Sequence, residues 1–383
     1  MNWCAGFRLG ASTKAVAIAV LAGSCSAQPA PVAPTVALDS ALLIATERGG
    51  NGPRLVAIDA SGDRQFDVIA PAAVTVRDSN PAISPDGDWI VFASSRGRDI
   101  STTSLWLARL GFESVAVPIT HGEWIDTHPC WAADSRSVVF ASTRNGNFDL
   151  WRVRLELNQD TLAAATLTQL THAPTHEVSP SIARDGRIVF AVVAPAGQTP
   201  SSHLAMLTPP AMEQVDISSG PGDSSPGFSP DGTSIAFAAP QLRSRIVEGK
   251  TIESVDGDIW TMPASGGPRT KLMDSAGTDE GGPVWSSDGR TLFATSLLRG
   301  ANGRVLFSAI VFGDGVATHP VRMLIDRAGA VERLGPTLRP GRPSPRELVQ
   351  LQTAPEYRAR LTEIIRRAVE RNGITPPTES PSP

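Results

Sequence analysis

The sequence is poor in cysteine, histidine and tyrosine, and it has no excess of basic residues. Its 383 residues include 3 cysteines, 6 histidines and 1 tyrosine. Three cysteines are too few for the disulfide framework of a small secreted domain. The 34 basic and 38 acidic residues give a formal net charge of −4, which argues against a nucleic-acid-binding surface. The sequence contains no Gly-x-Ser-x-Gly motif, so we do not predict a serine hydrolase of that type.

The apolar run near the start of the chain, residues 15–22, is too short to cross a bilayer as a helix. With Arg8 and Lys14 before it, the run is typical of an export signal over residues 1–24. Residues 21–25 resemble a bacterial lipoprotein box, which implies lipid attachment to Cys25; an ordinary secretory signal is the alternative. Residues 25–40 are rich in proline and alanine and are predicted to form a flexible tether.

A repeated pattern dominates the rest of the chain. Five prolines are each followed five residues later by an aspartate and ten or eleven residues later by a phenylalanine. The prolines are Pro81, Pro129, Pro180, Pro226 and Pro283, and their successive spacings are 48, 51, 46 and 57 residues. A recurrence of this length is typical of stacked or radially arranged copies of one structural unit.

One copy of the pattern encodes four short strands. In the first copy these are residues 82–84, 89–93, 104–109 and 114–119, and a Ser-Pro-Asp-Gly turn joins the first two. Such a unit is a four-stranded antiparallel meander, which matches a propeller blade. Cys130 occupies a small-residue position of the first strand in its copy, so we interpret it as a buried packing residue.

The two ends of this array predict ring closure. Residues 41–59 resemble second and third strands without a first, whereas residues 335–340 resemble a first strand with nothing after it. We therefore predict an all-β fold over residues 41–345, a six-bladed β-propeller of four-stranded antiparallel blades whose last blade is shared between the N- and C-terminal ends. Residues 346–373 are predicted to form an amphipathic C-terminal helix, which packs on the rim or docks a partner, and residues 374–383 a disordered tail.

A carboxylate stands three residues before each repeat proline. The five acids, which we expect to surround one mouth of the central channel, are Asp78, Asp126, Glu177, Asp223 and Glu280. A basic peptide or calcium would relieve their mutual repulsion; the alternative is that each acid stabilises the local backbone where a loop enters a strand. His128 and His176 are adjacent candidates that could join Asp126 and Glu177 around a transition metal. Arg96 and Arg144 recur after the second strands and are interpreted as structural charges that tie hairpins together.

The Ser-Pro-Asp-Gly turn, the stretch Ser142–Asp149 and the pair Leu170-Thr171 resemble the TolB-type β-propeller repeat family. The resemblance implies a channel face that receives a peptide and can hold calcium. The same repeat occurs in oligogalacturonate lyases, which use a histidine-rich metal site in the channel. The lipoprotein box, with Ser26 after Cys25, implies a lipoprotein of the outer membrane that faces the periplasm, and we expect it to be a monomer.

The expected function is binding of an envelope protein or peptide at the channel mouth, without nucleic acid and with the membrane reached only through the lipid. No catalytic residue is predicted, and calcium is the one cofactor that the pattern suggests. Two alternatives remain open at this stage. One is a polysaccharide lyase or hydrolase with an active site in the channel, and the other is a structural protein of the envelope.

Overall fold

The computed structural model describes most of the repeat array. The described residues are 42–49, 52–58, 65–67, 76–97, 99, 101–110, 115–158, 161–195, 201–247, 250–273, 278–286, 288–298, 305–313, 316–317, 321–323 and 332–339. The predicted signal, tether, C-terminal helix and tail lie outside these residues, and the predicted domain boundaries stay predictions. Within the described residues, every regular element is a β-strand.

The strands follow the chain in groups. The first group is β1 (Leu42–Gly49), β2 (Gly52–Ile58) and β3 (Gln65–Asp67). The second is β4 (Asp78–Ile83), β5 (Trp89–Ser94), β6 (Ser104–Arg109) and β7 (Val117–Pro118). The third is β8 (Asp126–Trp131), β9 (Ser137–Ser142), β10 (Asp149–Asn158) and β11 (Thr161–Gln169). The fourth is β12 (His176–Ile182), β13 (Ile188–Val193), β14 (Ser202–Thr208) and β15 (Glu213–Asp216).

The remaining strands complete the array. They are β16 (Ser224–Phe228), β17 (Ser234–Val247), β18 (Lys250–Pro263), β19 (Thr270–Lys271), β20 (Thr278–Trp285), β21 (Thr291–Leu298), β22 (Val305–Gly313), β23 (Val316–Ala317), β24 (Val321–Met323) and β25 (Glu332–Arg339). Strands β4–β7, β8–β11, β12–β15 and β16–β19 form four antiparallel four-stranded sheets, called blades 1 to 4 here. Strands β20–β24 form a fifth sheet, and β25 pairs with β1 in a further sheet of order β25-β1-β2-β3.

The innermost strands contact one another in sequence around a closed cycle. Strand β4 contacts β8, β8 contacts β12, β12 contacts β16, and β16 contacts β20. Strand β25 contacts both β20 and β4. The fold is therefore an all-β propeller built from antiparallel blades, as the repeat predicts.

The turn between the first two strands of a blade is built as its sequence predicts. In blade 1 the amide of Gly87 donates to the carbonyl of Ser84 at 2.8 Å, and Gly87 has a φ of 78° that favours glycine. The Ser84 hydroxyl accepts from the amide of Trp89 at 2.9 Å. Blade 4 repeats the arrangement, since the amide of Gly232 donates to Ser229 O at 2.8 Å. Serine, aspartate and glycine therefore close each of these turns through short-range bonds.

The core lies between neighbouring blades and is centred on the repeat phenylalanines. Phe92, Phe140, Phe190 and Phe237 are fully buried. The second strands that carry them are buried on both faces, as expected from their continuous apolar sequence. Trp131 of blade 2 packs in the same cluster as Trp89 of blade 1, and its Nε1 donates to Ala82 O at 3.0 Å. This packing fixes each blade against the next.

Each innermost strand contains a β-bulge that the sequence pattern does not predict. The residue before the repeat proline has a positive φ in all five copies: Asn80 (51°), His128 (49°), Ser179 (53°), Ser225 (49°) and Gly282 (57°). The pairing register with the second strand shifts at the same point in each blade. Strand β25 has the equivalent shift between Leu334 and Thr337, opposite Thr46 and Ile44. Because proline has no amide donor, a bulge is where a ladder tolerates it.

Candidate functional site

The five predicted acids occupy equivalent places where the innermost strands begin. We call this side of the ring the upper face; the second strands end there and the third strands start there. Asp78 and Asp126 are the first residues of β4 and β8, Glu177 and Glu280 lie early in β12 and β20, and Asp223 directly precedes β16. All five are buried, with exposed fractions between 0% and 6%. The carboxylates are therefore packed into the protein instead of facing solvent.

Arginines that follow the second strand neutralise the acids of blades 1 and 2. Arg96 Nε donates to Asp78 Oδ1 at 3.1 Å, and the hydroxyl of Ser94 donates to the same oxygen at 2.6 Å. Arg144 Nη2 donates to both oxygens of Asp126 at 2.9 and 3.0 Å. These contacts join a first strand to the end of its second strand. Arg96 and Arg144 thus tie the hairpins together, as interpreted from sequence.

Arg144 also lies over an aromatic surface. Its guanidinium carbon is 4.7 Å from the ring centre of Trp151, 5.3 Å from that of Phe140 and 5.8 Å from that of Trp124. Cation–π contacts of this kind gain strength when the cation is desolvated, and only 8% of the Arg144 side chain is exposed. The arginine therefore links the carboxylate of Asp126 to the core of its blade.

In blade 4 the counter-ion comes from a different part of the chain. Gln241 stands where Arg96 and Arg144 stand in the earlier copies, and Arg269 from the connection before β19 pairs with Asp223 at 2.8 Å. The guanidinium lies over Trp260 at 4.9 Å and over Phe237 at 5.0 Å. Burial nevertheless raises the pKa of Asp223. Nothing in the repeat pattern predicts this pairing.

In blade 3 the acid has no arginine among its described contacts. Ala194 stands at the arginine position, and Glu177 instead accepts from Thr171 Oγ1 at 3.1 Å and from Thr175 Oγ1 at 2.5 Å. Glu177 also interacts with another buried acid, Asp149 of blade 2. Desolvation raises the pKa of Glu177 to about 7 and also raises the pKa of Asp149. This acid therefore differs electrostatically from those of blades 1 and 2.

The two candidate histidines occupy separate environments. His128 lies at the bulge of β8, and desolvation lowers the pKa of its imidazole to about 4, so the ring is neutral. His176 Nδ1 accepts from the amide of Phe148 at 3.2 Å. Within the described ranges, no three histidine, cysteine, aspartate or glutamate side chains are close enough together to hold a metal ion. The predicted grouping of these histidines with Asp126 and Glu177 is thus not formed there.

Burial raises the pKa of the half-buried Cys130 to about 11, which keeps the thiol protonated and agrees with a packing role. None of the described segments forms a helix with the length and apolar character that membrane crossing requires.

A long hairpin rises from the upper face at blade 4. The pairing of β17 with β16 ends at Ala238, opposite Ser224, whereas its pairing with β18 continues to Val247 and Lys250. We call residues 239–247 and 250–258 the ribbon. On its outward side Leu242 and Val255 are directly opposite each other, and 59% and 52% of their surfaces are exposed. The repeat pattern of the sequence does not predict this ribbon.

The opposite side of the ribbon is charged, and its charged groups are paired. Arg243 Nη2 contacts both oxygens of the buried Asp258 at 2.7 and 2.9 Å, and Arg243 Nε is 3.1 Å from an oxygen of Asp256. Lys271 Nζ lies 3.1 Å from Asp258. Both strands also contact β20 of the next sheet. Arg243 therefore joins the two strands of the ribbon, Lys271 ties the base of the ribbon to β19, and the apolar pair lies on the opposite side.

A cavity of about 730 Å³ lies between blades 3 and 4. Its lining includes His203, Asp216, Ser218 and Arg269. His203 Nε2 is 3.1 Å from Asp216, and Arg269 is already paired with Asp223, so the charges in the lining are compensated locally.

Comparison with known proteins places this architecture in a family. Residues 67–254 match the family model described as the TolB beta propeller domain. No curated protein matches the chain by sequence. Among solved structures, TolB from Acinetobacter baumannii is similar over 79% of this chain and 67% of its own, with 18% identity and a TM-score of 0.57.

Two other solved structures extend the comparison. A chain of a nidogen/laminin complex is similar over 78% of this chain and 98% of its own, with 8% identity and a TM-score of 0.54. An oligogalacturonate lyase in complex with manganese covers 70% of each chain at 15% identity, and its TM-score of 0.45 carries no argument about activity. At these identities the structural likeness shows the fold alone. The family model and the fold together show that residues 67–254 belong to the TolB-type β-propeller repeat family.

Proposed function

We propose that this chain binds a protein partner on the upper face of a six-bladed propeller, with the ribbon as the main contact. The observation that carries the proposal is the exposed apolar pair Leu242 and Val255 on the outward side of the ribbon. Covering such a pair removes apolar surface from water, which is the main driving force of protein association. A protein or peptide with a complementary apolar surface is the occupant that this chemistry favours.

The charged contacts on the opposite side of the ribbon from Leu242 and Val255 favour binding as well. Arg243 binds Asp256 and Asp258 across the two strands of the ribbon, and Lys271 of β19 binds Asp258 at the base of the ribbon. A surface that is already ordered loses little conformational entropy when a partner docks. The ribbon therefore offers a preorganised contact, unlike a loop that would have to become ordered.

The proposed platform has six blades, the last shared between the two ends of the chain. The pairing of β25 with β1, and the contacts of β25 with β20 and β4, support this arrangement. Propeller folds serve many functions, so the fold supports the proposal only weakly. One of the similar structures is described as a complex of two proteins, nidogen and laminin, which is consistent with a propeller used for protein binding.

The predicted contact residues at the channel mouth keep a role in this proposal. Asp78, Asp126 and Asp223 are paired with arginines, so they hold the connections that shape the upper face. Direct contact of a partner with these acids, with Glu177, Glu280, His128 or His176, with or without calcium, stays a prediction. In the described state such contact would require the buried pairs to open.

Capture of partners by the full chain tests the proposal. We expect Leu242→Ser/Val255→Ser to reduce the recovered partner by about tenfold or more, because small polar side chains remove the apolar contact. The matched control is Val117→Ser/Val215→Ser, which changes exposed valines on the outer strands of blades 1 and 3. The control should recover the partner as the wild type does.

Two outcomes would contradict this function. Equal recovery by the ribbon variant and the control would show that the ribbon is not the contact. A wild-type chain that recovers no protein above the level of an unrelated propeller would instead favour a structural role in the envelope.

We also propose that the chain is a lipoprotein of the cell envelope, attached through Cys25 to the outer membrane and facing the periplasm as a monomer. The lipoprotein-like residues 21–25 support this placement. We expect Cys25→Ser to move the chain from the membrane fraction to the soluble fraction, because no lipid can be attached. Fractionation of cells followed by detection of the chain measures the shift; a variant that stays in the membrane fraction would exclude a Cys25 anchor.

A further inference from the structure

We propose that Asp149 and Glu177 share one proton across the boundary between blades 2 and 3 and form a latch that loosens when the proton is lost. Asp149 opens β10 of blade 2 and Glu177 lies in β12 of blade 3. Both side chains are buried, at 2% and 0% exposed. The latch therefore joins two neighbouring blades at the upper face.

The hydrogen bonds around Asp149 and Glu177 leave one carboxylate oxygen without a donor, and a protonated carboxyl could supply that donor. Glu177 accepts from Thr171 and Thr175, and Asp149 Oδ2 accepts from Gln169 Nε2 at 3.0 Å. Asp149 Oδ1 is buried and has no hydrogen-bond donor among the described residues. Two ionised carboxylates cannot donate to each other, whereas one protonated carboxyl can. A proton on Glu177 would satisfy the orphaned oxygen and remove the repulsion between two buried charges.

The other charged groups around the pair are engaged elsewhere or exposed. Arg144 is bound to Asp126. Asp126 and Asp149 lie on either side of the second strand of blade 2, where both pair with Ser142. His203 and Glu177 lie on either side of the second strand of blade 3, where both pair with Val192, and His203 forms an ion pair with Asp216. His176 accepts a backbone amide through Nδ1, and the exposed His172 acts on Asp149 only through electrostatic attraction.

The backbone around the pair shows what the latch would hold. The amide of Glu177 donates to Phe148 O at 2.7 Å, and the amide of Leu150 donates to Thr171 Oγ1 at 2.8 Å. Asn147 Nδ2 donates to Ala173 O at 2.8 Å. These hydrogen bonds connect residues 147–150 of blade 2 to the segment that leads into blade 3. Repulsion between two ionised carboxylates would act directly on this junction.

The sign of the pH effect follows from the raised pKa. An acid with a pKa of about 7 in the folded chain and an ordinary value of 4.5 when unfolded keeps its proton longer in the folded state. The contribution of Glu177 to stability should therefore fall as the pH rises from about 4.5 to about 7 and then become constant. His128 contributes in the opposite direction, since its lowered pKa costs stability when the pH falls below its ordinary value of 6.5.

Denaturant unfolding of the full chain from pH 5 to pH 8.5 tests the latch. We expect the stability of the wild type relative to Glu177→Gln to fall as the pH rises toward 7, because the amide of the variant stays neutral and can donate to Asp149, whereas His128 contributes equally to both chains. The matched control Glu123→Gln changes an exposed glutamate and should keep the wild-type profile. Identical profiles for wild type and Glu177→Gln would overturn the proposal.

A second measurement covers the case in which Glu177→Gln fails to fold. Carbon NMR of the intact wild-type chain follows the side-chain carboxyl of Glu177 directly. Titration near pH 7 supports the shared proton, and titration near the ordinary value of 4.5 overturns it. Amide exchange of Leu150 and Glu177, corrected for the intrinsic effect of pH, should be faster at pH 8.5 than at pH 6 if the junction loosens.

Discussion

Replacing Arg144 with methionine is expected to destabilise the fold by about 3–5 kcal/mol. Methionine keeps much of the apolar length of the side chain but removes the cation that neutralises Asp126. The carboxylate of Asp126 is fully buried, so it would be left as an uncompensated charge in a low-dielectric environment. The contact with Trp151 is lost at the same time. Urea unfolding monitored by tryptophan fluorescence and circular dichroism measures the change.

Two further variants isolate the ion pair in this experiment. Arg136→Met removes an exposed arginine whose guanidinium donates to Leu157 O at 3.2 Å, and it should cost less than about 1 kcal/mol. The double variant Arg144→Met/Asp126→Leu removes both charges and should recover most of the lost stability. A loss below about 1 kcal/mol for Arg144→Met alone would contradict the view that these arginines are structural.

Truncation of a repeat phenylalanine is expected to have an effect of similar size. Phe190 is fully buried and packs with Val139 of blade 2 and Leu207 of its own blade. Phe190→Ala leaves a cavity that the surrounding strands cannot close, so we expect a loss of about 3–5 kcal/mol. Phe190→Leu keeps more of the volume and should cost clearly less. Unfolding in urea at one pH compares the variants.

The matched control for the phenylalanine series is Val215→Ala, at a valine that is 59% exposed on the outer strand of the same blade. It should change stability by no more than about 0.5 kcal/mol. If Phe190→Ala and Val215→Ala had the same effect, the inter-blade core would not be the source of stability that the burial of the phenylalanines indicates.

The strands and turns could be predicted from the sequence because their signals are local. The third strand of blade 1 was placed at 104–109, as observed, and the second at 89–93 against Trp89–Ser94. The prediction of the outer strand was less accurate: within the predicted range 114–119, the observed strand is Val117–Pro118. An edge strand has few ladder partners, so its ends are weakly defined. The bulges were missed because a residue before proline normally prefers an extended backbone with negative φ.

The site could be located but not described from the sequence. Spacing from the prolines found all five acids, yet it gave no sign that they are buried, because their counter-ions are set by tertiary packing. Arg269 reaches Asp223 from another connection of the blade, and Ala194 leaves Glu177 without an arginine. The ribbon was missed because Leu242 and Val255 are isolated apolar residues in a mostly polar stretch.

Site-specific photocrosslinking in native cells tests the central claim, partner binding through the ribbon, most directly. A photoreactive amino acid is introduced singly at position 242 or 255, and at position 117 or 215 as controls of comparable surface character. The account predicts one crosslinked protein from positions 242 and 255 and none from positions 117 and 215. Crosslinks from the outer-strand positions alone, or no crosslink from position 242 or 255, would contradict it.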